Sequence, residues 1–193
     1  ATSWMTDKLI KNRGGLHNRI RHRIYLKPFS LKETEEYLKS RSVHWDRYQI
    51  LQGYMLTGGV PFYLKMLEPQ QSFAQNVDRL CFSDTGALKM EFDELYNAIF
   101  PGAESYVEVV RALADNKSGL TRTEISTKTK ISGAYLTRIL TNLERCDFID
   151  KTNLFGNRRT DAVYRLVDFY TLFYFKFVEK NLSRDDQWWT HHL

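Results

Sequence analysis

The chain has 193 residues, of which 42% are hydrophobic and 14% aromatic, with 28 Lys or Arg against 23 Asp or Glu. This length and apolar content are enough for one or two buried cores, and no run of 18 apolar residues marks a membrane-spanning helix. Cys81 and Cys146 are isolated and the five histidines lack zinc-ligand spacing, so we expect packed thiols and no metal site. With no signal-peptide pattern at the N-terminus, the composition predicts a cytoplasmic protein without a membrane partner.

The charge is unevenly distributed along the chain. Residues 1–27 carry seven Lys or Arg and one Asp, whereas residues 28–116 carry eight positive and thirteen negative side chains. The segment from Lys117 to Arg165 has ten Lys or Arg against five Asp or Glu, a net +5 that equals the excess of the whole chain. Two basic zones therefore flank an acidic middle, which indicates separate functions.

The first hundred residues predict a strand followed by a small helical bundle. Ile24-Tyr25-Leu26 has the character of a short strand, and Ser30-x-x-Glu33 is a capping box that begins a helix ending near residue 40. Four further helices are predicted, over residues 45–56, 61–67, 72–80 and 88–100. Gly58-Gly59 ends the first of these four, and Pro61 suits the first turn of the next.

Residues 106–149 have the pattern of helix, helix, tight turn, helix and strand. Thr121-x-x-Glu124 is a second capping box, and Ser132-Gly133 marks the turn before the last helix. Two helices carry apolar residues at i, i+3, i+4 and i+7, which are Tyr106, Val109, Val110 and Leu113 in one and Leu136, Ile139, Leu140 and Leu143 in the other. These stripes predict two helices packed on a common core.

A basic hairpin follows the last of these helices. Phe148-Ile149 and Val163–Leu166 predict short strands, and residues 154–159 between them are glycine-bent and contain Arg158 and Arg159. Helix, helix, turn, helix and hairpin together predict a winged helix-turn-helix. The fold class is therefore mainly α with a small β component, a helical bundle followed by this module.

A winged helix-turn-helix presents one helix to a partner, most often DNA. The side of the last helix opposite its apolar stripe, together with the hairpin, suits major-groove entry and phosphate contact. The candidate DNA-binding residues are Tyr135, Arg138, Thr141, Asn142, Arg145, Arg158 and Arg159. The alternative is a module used for packing or protein contact, with its arginines solvated, because a fold alone does not determine function.

Four short motifs in the first 70 residues resemble a known ATPase family. They are Ala-Thr-Ser-Trp-Met at the start, Gly-Gly-Leu-His-Asn-Arg-Ile from Gly14, Leu-Lys-Pro-Phe-Ser from Leu26, and Gly-Gly-Val-Pro-Phe-Tyr-Leu from Gly58. In this order they resemble the later part of prokaryotic AAA+ or STAND-like ATPases, which carry a helical lid, a winged helix and a C-terminal nuclease-like domain. Tyr164-Arg165-Leu166-Val167-Asp168-Phe169 is similar to the entry to that last domain.

The resemblance implies a domain order and a nucleotide-proximal group. Residues 1–100 correspond to the end of the ATPase core plus the lid, 101–166 to the winged helix, and 167–193 to a connecting helix toward a missing domain. Arg19 matches an arginine that approaches a nucleotide phosphate, and Gly58, Gly59 and Pro61 match a lid motif that closes over the base. Arg19 as one more surface cation, and the glycines as helix punctuation, remain the alternatives. Trp188 and Trp189 would be interface residues left exposed.

The sequence departs from the family in its catalytic motifs. It contains no Gly-x-x-x-x-Gly-Lys-Ser/Thr, and no apolar run ending in paired acids that would hold magnesium. We therefore expect no catalytic residues and no cofactor in this chain, with ATP and Mg²⁺ bound by the rest of an ATPase parent. The winged-helix pattern indicates DNA as a partner, and the resemblance implies the ATPase core and the nuclease-like domain as further partners and allows a homo-oligomeric parent. The leading function is a lid and winged-helix segment that couples nucleotide state to DNA contact, and the alternative is a protein-interaction module.

Overall fold

A computed structural model describes residues 24–153 and 162–192 of the chain. The fold is mainly α-helical with one small antiparallel sheet, which confirms the predicted class. The described residues belong to two compact units. Among these residues the helical unit comprises 27–95 and 169–192, and the mixed unit comprises 24–26, 96–153 and 162–168.

The described residues contain ten α-helices and three β-strands. The helices are α1 (Leu31–Ser40), α2 (Arg47–Thr57), α3 (Pro61–Lys65), α4 (Phe73–Val77), α5 (Ala87–Ile99), α6 (Ala103–Ala114), α7 (Arg122–Thr129), α8 (Gly133–Arg145), α9 (Phe169–Phe173) and α10 (Trp188–His192). The strands are β1 (Leu120–Thr121), β2 (Ile149–Asn153) and β3 (Ala162–Leu166). Two single π-helical turns, Asp78–Phe82 and Tyr174–Val178, extend α4 and α9.

The five helices predicted in the first half of the chain are confirmed, with ends that differ by a few residues. The strand predicted over residues 24–26 is wrong, because that backbone is irregular and no described strand pairs with it. A strand without a neighbour leaves its backbone groups unpaired, so β-propensity alone does not make one. The Tyr25 hydroxyl instead donates a hydrogen bond to the Asp147 carboxylate, which raises the pKa of Tyr25 to about 12.

Capping boxes fix the start of four helices. In each, the side chain of the cap residue accepts from a backbone N–H three residues later, and the side chain there accepts from the cap. The predicted boxes Ser30/Glu33 and Thr121/Glu124 are confirmed, and two more form at Asp46/Gln49 and Ser72/Gln75. These helices therefore begin where local chemistry satisfies their first N–H groups.

Aromatic side chains from the end of the chain complete the core of the helical unit. The Tyr174 ring stacks on Phe92 with centroids 3.9 Å apart, and the Tyr170 hydroxyl donates to the Leu88 carbonyl at 2.6 Å. Trp188 and Trp189 were expected to be left exposed, but both are half-buried. Trp189 packs against four phenylalanines of this unit, Phe73, Phe82, Phe173 and Phe177. The tryptophans therefore belong to the packing of the helical unit.

In the mixed unit three helices pack with a sheet of order β1-β3-β2, antiparallel throughout. Leu120 pairs with Tyr164, and Ile149 pairs with Leu166. The eight apolar residues predicted to face inward from α6 and α8 are all buried, which confirms both stripes. This core fixes α8 against the sheet and leaves its opposite side toward solvent.

Candidate nucleic-acid interface

The start of α8 is held by a short turn and by an arginine of α7. Lys130 ends α7 with φ 60°, and α8 begins three residues later at Gly133. The Arg122 guanidinium donates to the Gly133 carbonyl at 2.8 Å and to the Thr137 hydroxyl at 3.3 Å. These bonds fix the first turn of α8 to the first residue of α7. No pattern in the sequence indicated this role for Arg122.

The buried residues of α8 determine which of its side chains face outward. At 100° per residue, the direction opposite Leu136, Ile139, Leu140 and Leu143 is occupied by Ala134, Arg138, Thr141 and Arg145, a set named here the outward stripe. In the structure Ala134 and Arg138 are exposed, and Thr141 and Arg145 are half-buried. The structure thus brings together three of the predicted DNA-binding residues on one line along the helix.

Tyr135 and Asn142 lie beside the outward stripe, on the side of α8 toward α6. The Asn142 amide donates to the Tyr106 hydroxyl of α6 at 2.8 Å, so one of its N–H groups is already used within the protein. The Tyr135 ring lies beneath the Arg138 guanidinium, with 5.0 Å from the guanidinium carbon to the ring centroid. Tyr135 therefore supports Arg138, and Asn142 connects α8 to α6.

The predicted Arg158 and Arg159 lie outside the described residues. The strands that flank them add two cations that sequence reasoning did not select. Lys151 is exposed on β2, with its ammonium 5.8 Å from the Tyr164 ring centroid, and Arg165 on β3 donates to the Thr152 hydroxyl at 3.3 Å. Over the described residues 117–153 and 162–165, eight Lys or Arg stand against four Asp or Glu. This balance favours a polyanionic partner.

The predicted nucleotide-proximal glycines have a local packing role. Gly58 and Gly59 have φ of 61° and 71°, and the Phe29 N–H donates to the Gly59 carbonyl at 2.9 Å. A Cβ on Gly59 would lie 2.1 Å from the Phe29 carbonyl oxygen. Pro61 is the first residue of α3, and Arg19 lies outside the described residues. The tight turn explains both glycines without a ligand, so the nucleotide role of these four residues stays a prediction.

The expectation that ATP and Mg²⁺ are bound by the rest of a parent protein stays a prediction. Among residues 24–153 and 162–192, no group of three His, Cys, Asp or Glu is placed to hold a metal ion. Cys81 is buried and burial raises the pKa of its thiol, so it remains protonated and is a poor nucleophile. Among residues 24–153 and 162–192, no helix has the length and apolarity needed to cross a membrane.

The comparisons with known proteins identify one structural likeness. No protein-family model matches the chain, and no curated protein matches it. A Walker-type ATPase of Pyrococcus abyssi has a similar structure, with a TM-score of 0.53 and 22% sequence identity over 91% of this chain. The match covers 50% of that ATPase, so this chain spans about half its length. The chain therefore has an ATPase-related fold.

Proposed function

We propose that the chain is the lid and DNA-binding winged-helix segment of a prokaryotic ATP-binding protein. The observation that carries the proposal is the outward stripe of α8, where Arg138, Thr141 and Arg145 lie in one line within the basic segment from Lys117 to Arg165. Three helices with an antiparallel sheet of order β1-β3-β2 support the assignment of this unit as a winged helix-turn-helix. In helix-turn-helix proteins the last helix enters the major groove, and flanking cations contact phosphates.

The likeness to a Walker-type ATPase supports the part of the proposal that places this chain in an ATP-binding protein. This chain contains no Walker motif, so ATP and Mg²⁺ would be bound by the remainder of a cytoplasmic parent, with Arg19, Gly58, Gly59 and Pro61 near the nucleotide. Movement of the lid with nucleotide state would reposition the winged helix through the link Pro101-Gly102-Ala103. A crosslink across that link in the full-length parent should abolish ATP-dependent changes in DNA affinity, and unchanged coupling would contradict this part.

Fluorescence anisotropy of labelled duplex DNA across a salt series tests the DNA-binding half. Each lost phosphate contact makes the slope of log affinity against log salt shallower by about 0.9. Reversing the charge of Arg138, Arg158 and Arg159 should therefore weaken binding and flatten the slope. The matched control reverses three cations that are exposed in the helical unit, Lys65, Lys89 and Arg184, and should leave both quantities unchanged. Equal loss in both variants, or no binding by the unmodified chain at low salt, would contradict DNA binding.

A protein-interaction module is the second candidate function, and one observation favours it. Asn142 is engaged with Tyr106, and the Tyr135 ring is 38% exposed beside Arg138, so this side of α8 offers an aromatic surface with few unused polar groups. Such a surface suits a protein partner, for example the nuclease-like domain that the resemblance implies. Supplying that domain in trans and measuring its affinity at low and high salt tests this candidate. Salt-insensitive binding that Tyr135→Ala removes would support it.

A further inference from the structure

Arg138 has no bulky neighbour on the outward stripe. Ala134 precedes it by four residues and Thr141 follows it by three, so its neighbours along the outward stripe are short, while the larger Tyr135 lies to one side of the stripe. With short neighbours, the backbone of α8 can approach the floor of a groove, and the guanidinium is the group that extends farthest. Arg138 is also in the first half of α8, the part of a recognition helix that meets base edges.

The guanidinium of Arg138 is supported from below. The Tyr135 ring face lies 5.0 Å from its central carbon, and a cation over an aromatic face is attracted by the ring. This support reduces the freedom that Arg138 would lose on binding, which favours one defined contact over a diffuse one.

We infer that Arg138 is the specificity-determining residue of this interface and recognises a guanine in the major groove of duplex DNA. The planar guanidinium can donate two parallel hydrogen bonds to O6 and N7 of guanine, and no other base presents two acceptors at that edge. Tyr135 is a positioning residue that holds the guanidinium in place. The inference rests on the proposed DNA-binding function.

Selection of binding sites from randomised duplexes, followed by anisotropy titrations, tests the inference with the full chain. The unmodified chain should select sites with a fixed G·C pair, and replacing that pair by A·T should weaken binding about 5- to 150-fold. Arg138→Lys keeps the charge and loses the planar fork, so it should discriminate less between the two duplexes, with an unchanged salt slope. Tyr135→Leu should reduce the discrimination, whereas Arg184→Lys, an exposed change in the helical unit, should preserve it.

A second probe removes one acceptor from the DNA. Placing 7-deazaguanine at the selected position deletes N7, which should weaken binding by the unmodified chain more than binding by Arg138→Lys. If the unmodified chain binds DNA but selects no G·C pair, or if Arg138→Lys retains full discrimination, the inference is overturned while DNA binding stands. No binding by the unmodified chain at low salt would overturn the proposed function and this inference together. Circular dichroism of each variant confirms that the fold is retained.

Discussion

At the scale of single residues, Glu124 shows how a side chain at the start of α7 makes stability depend on pH. Its carboxylate accepts from the Thr121 backbone N–H at 2.7 Å and from the Thr121 hydroxyl at 2.8 Å. These bonds favour the charged form and hold the pKa of Glu124 below its usual value of 4.5. Because the pKa is lower in the folded state, the capping box contributes stability above the unfolded pKa. That contribution is lost as pH falls through the folded value.

Replacing Glu124 with Gln should remove this pH dependence and keep the cap. Gln49 and Gln75 occupy the equivalent position in two other boxes of this chain, so an amide satisfies the geometry but does not titrate. From about pH 5 to about pH 3, the free energy of unfolding of the unmodified chain should fall by more than that of Glu124→Gln. Urea unfolding at several pH values measures the difference. Parallel curves for the two proteins would show that the box does not carry the dependence.

The helical periodicity of α8 was enough to predict which of the candidate residues lie on its outward side. Arg138, Thr141 and Arg145 lie opposite the buried stripe of α8 because helical spacing alone determines that direction. The engagement of Asn142 could not be predicted, since its partner Tyr106 lies 36 positions away in the sequence. The bonds of Arg122 to the start of α8 depend likewise on how two helices meet.

At the scale of elements, the turn between α2 and α3 is set by two glycines with different surroundings. Both have positive φ, a region that costs a residue with a Cβ about 1–2 kcal/mol. A Cβ on Gly58 would meet its nearest atom, on Phe169, at an ordinary 3.8 Å, whereas one on Gly59 would lie 2.1 Å from the Phe29 carbonyl oxygen. Only the second position therefore requires the backbone to move.

Gly59→Ala should destabilise the protein more than Gly58→Ala. We expect about 1–2 kcal/mol for Gly58→Ala from the backbone conformation alone, and a larger loss for Gly59→Ala from the added clash. Thermal or urea unfolding of the two variants, each differing from the unmodified chain by one methyl group, makes the comparison. Equal losses would contradict the packing role of Gly59 and would favour the alternative that it belongs to the nucleotide-binding motif it resembles.

The elements that the sequence predicted correctly are those with a local cause. Apolar spacing and two capping boxes predicted the helices, because both act over three or four residues. The predicted strand over residues 24–26 failed because a strand needs a partner, which local sequence does not specify. The π-helical turns Asp78–Phe82 and Tyr174–Val178 had no recognisable signal either.

At the scale of the whole molecule, the last helix of the chain, α10, packs on the helical unit, whose first residues lie more than 150 positions earlier in the sequence. Asp78 is only 4% exposed, and its carboxylate accepts the backbone N–H groups of Trp189 at 2.7 Å and Thr190 at 3.2 Å. This contact joins residues more than 100 positions apart, so no local sequence pattern predicts it. A buried carboxylate holding the start of α10 makes the last helix part of the stability of the helical unit.

The division into two compact units predicts that each can be destabilised separately. Asp78→Asn places an amide donor against the N–H groups at the start of α10, and Leu143→Ala leaves a cavity in the core of the mixed unit, costing about 2–5 kcal/mol. Hydrogen exchange followed by mass spectrometry should show faster exchange in helical-unit peptides for Asp78→Asn, and in α8 and the sheet for Leu143→Ala.

Only Leu143→Ala should also weaken DNA binding, because α8 belongs to the unit that it loosens. Asp186→Asn, an exposed change between α9 and α10, serves as the control and should alter neither exchange nor binding. If either core variant accelerates exchange equally in both units, the chain unfolds as one cooperative body. DNA affinity would then follow global stability, and the outward stripe would have to be tested with surface variants alone.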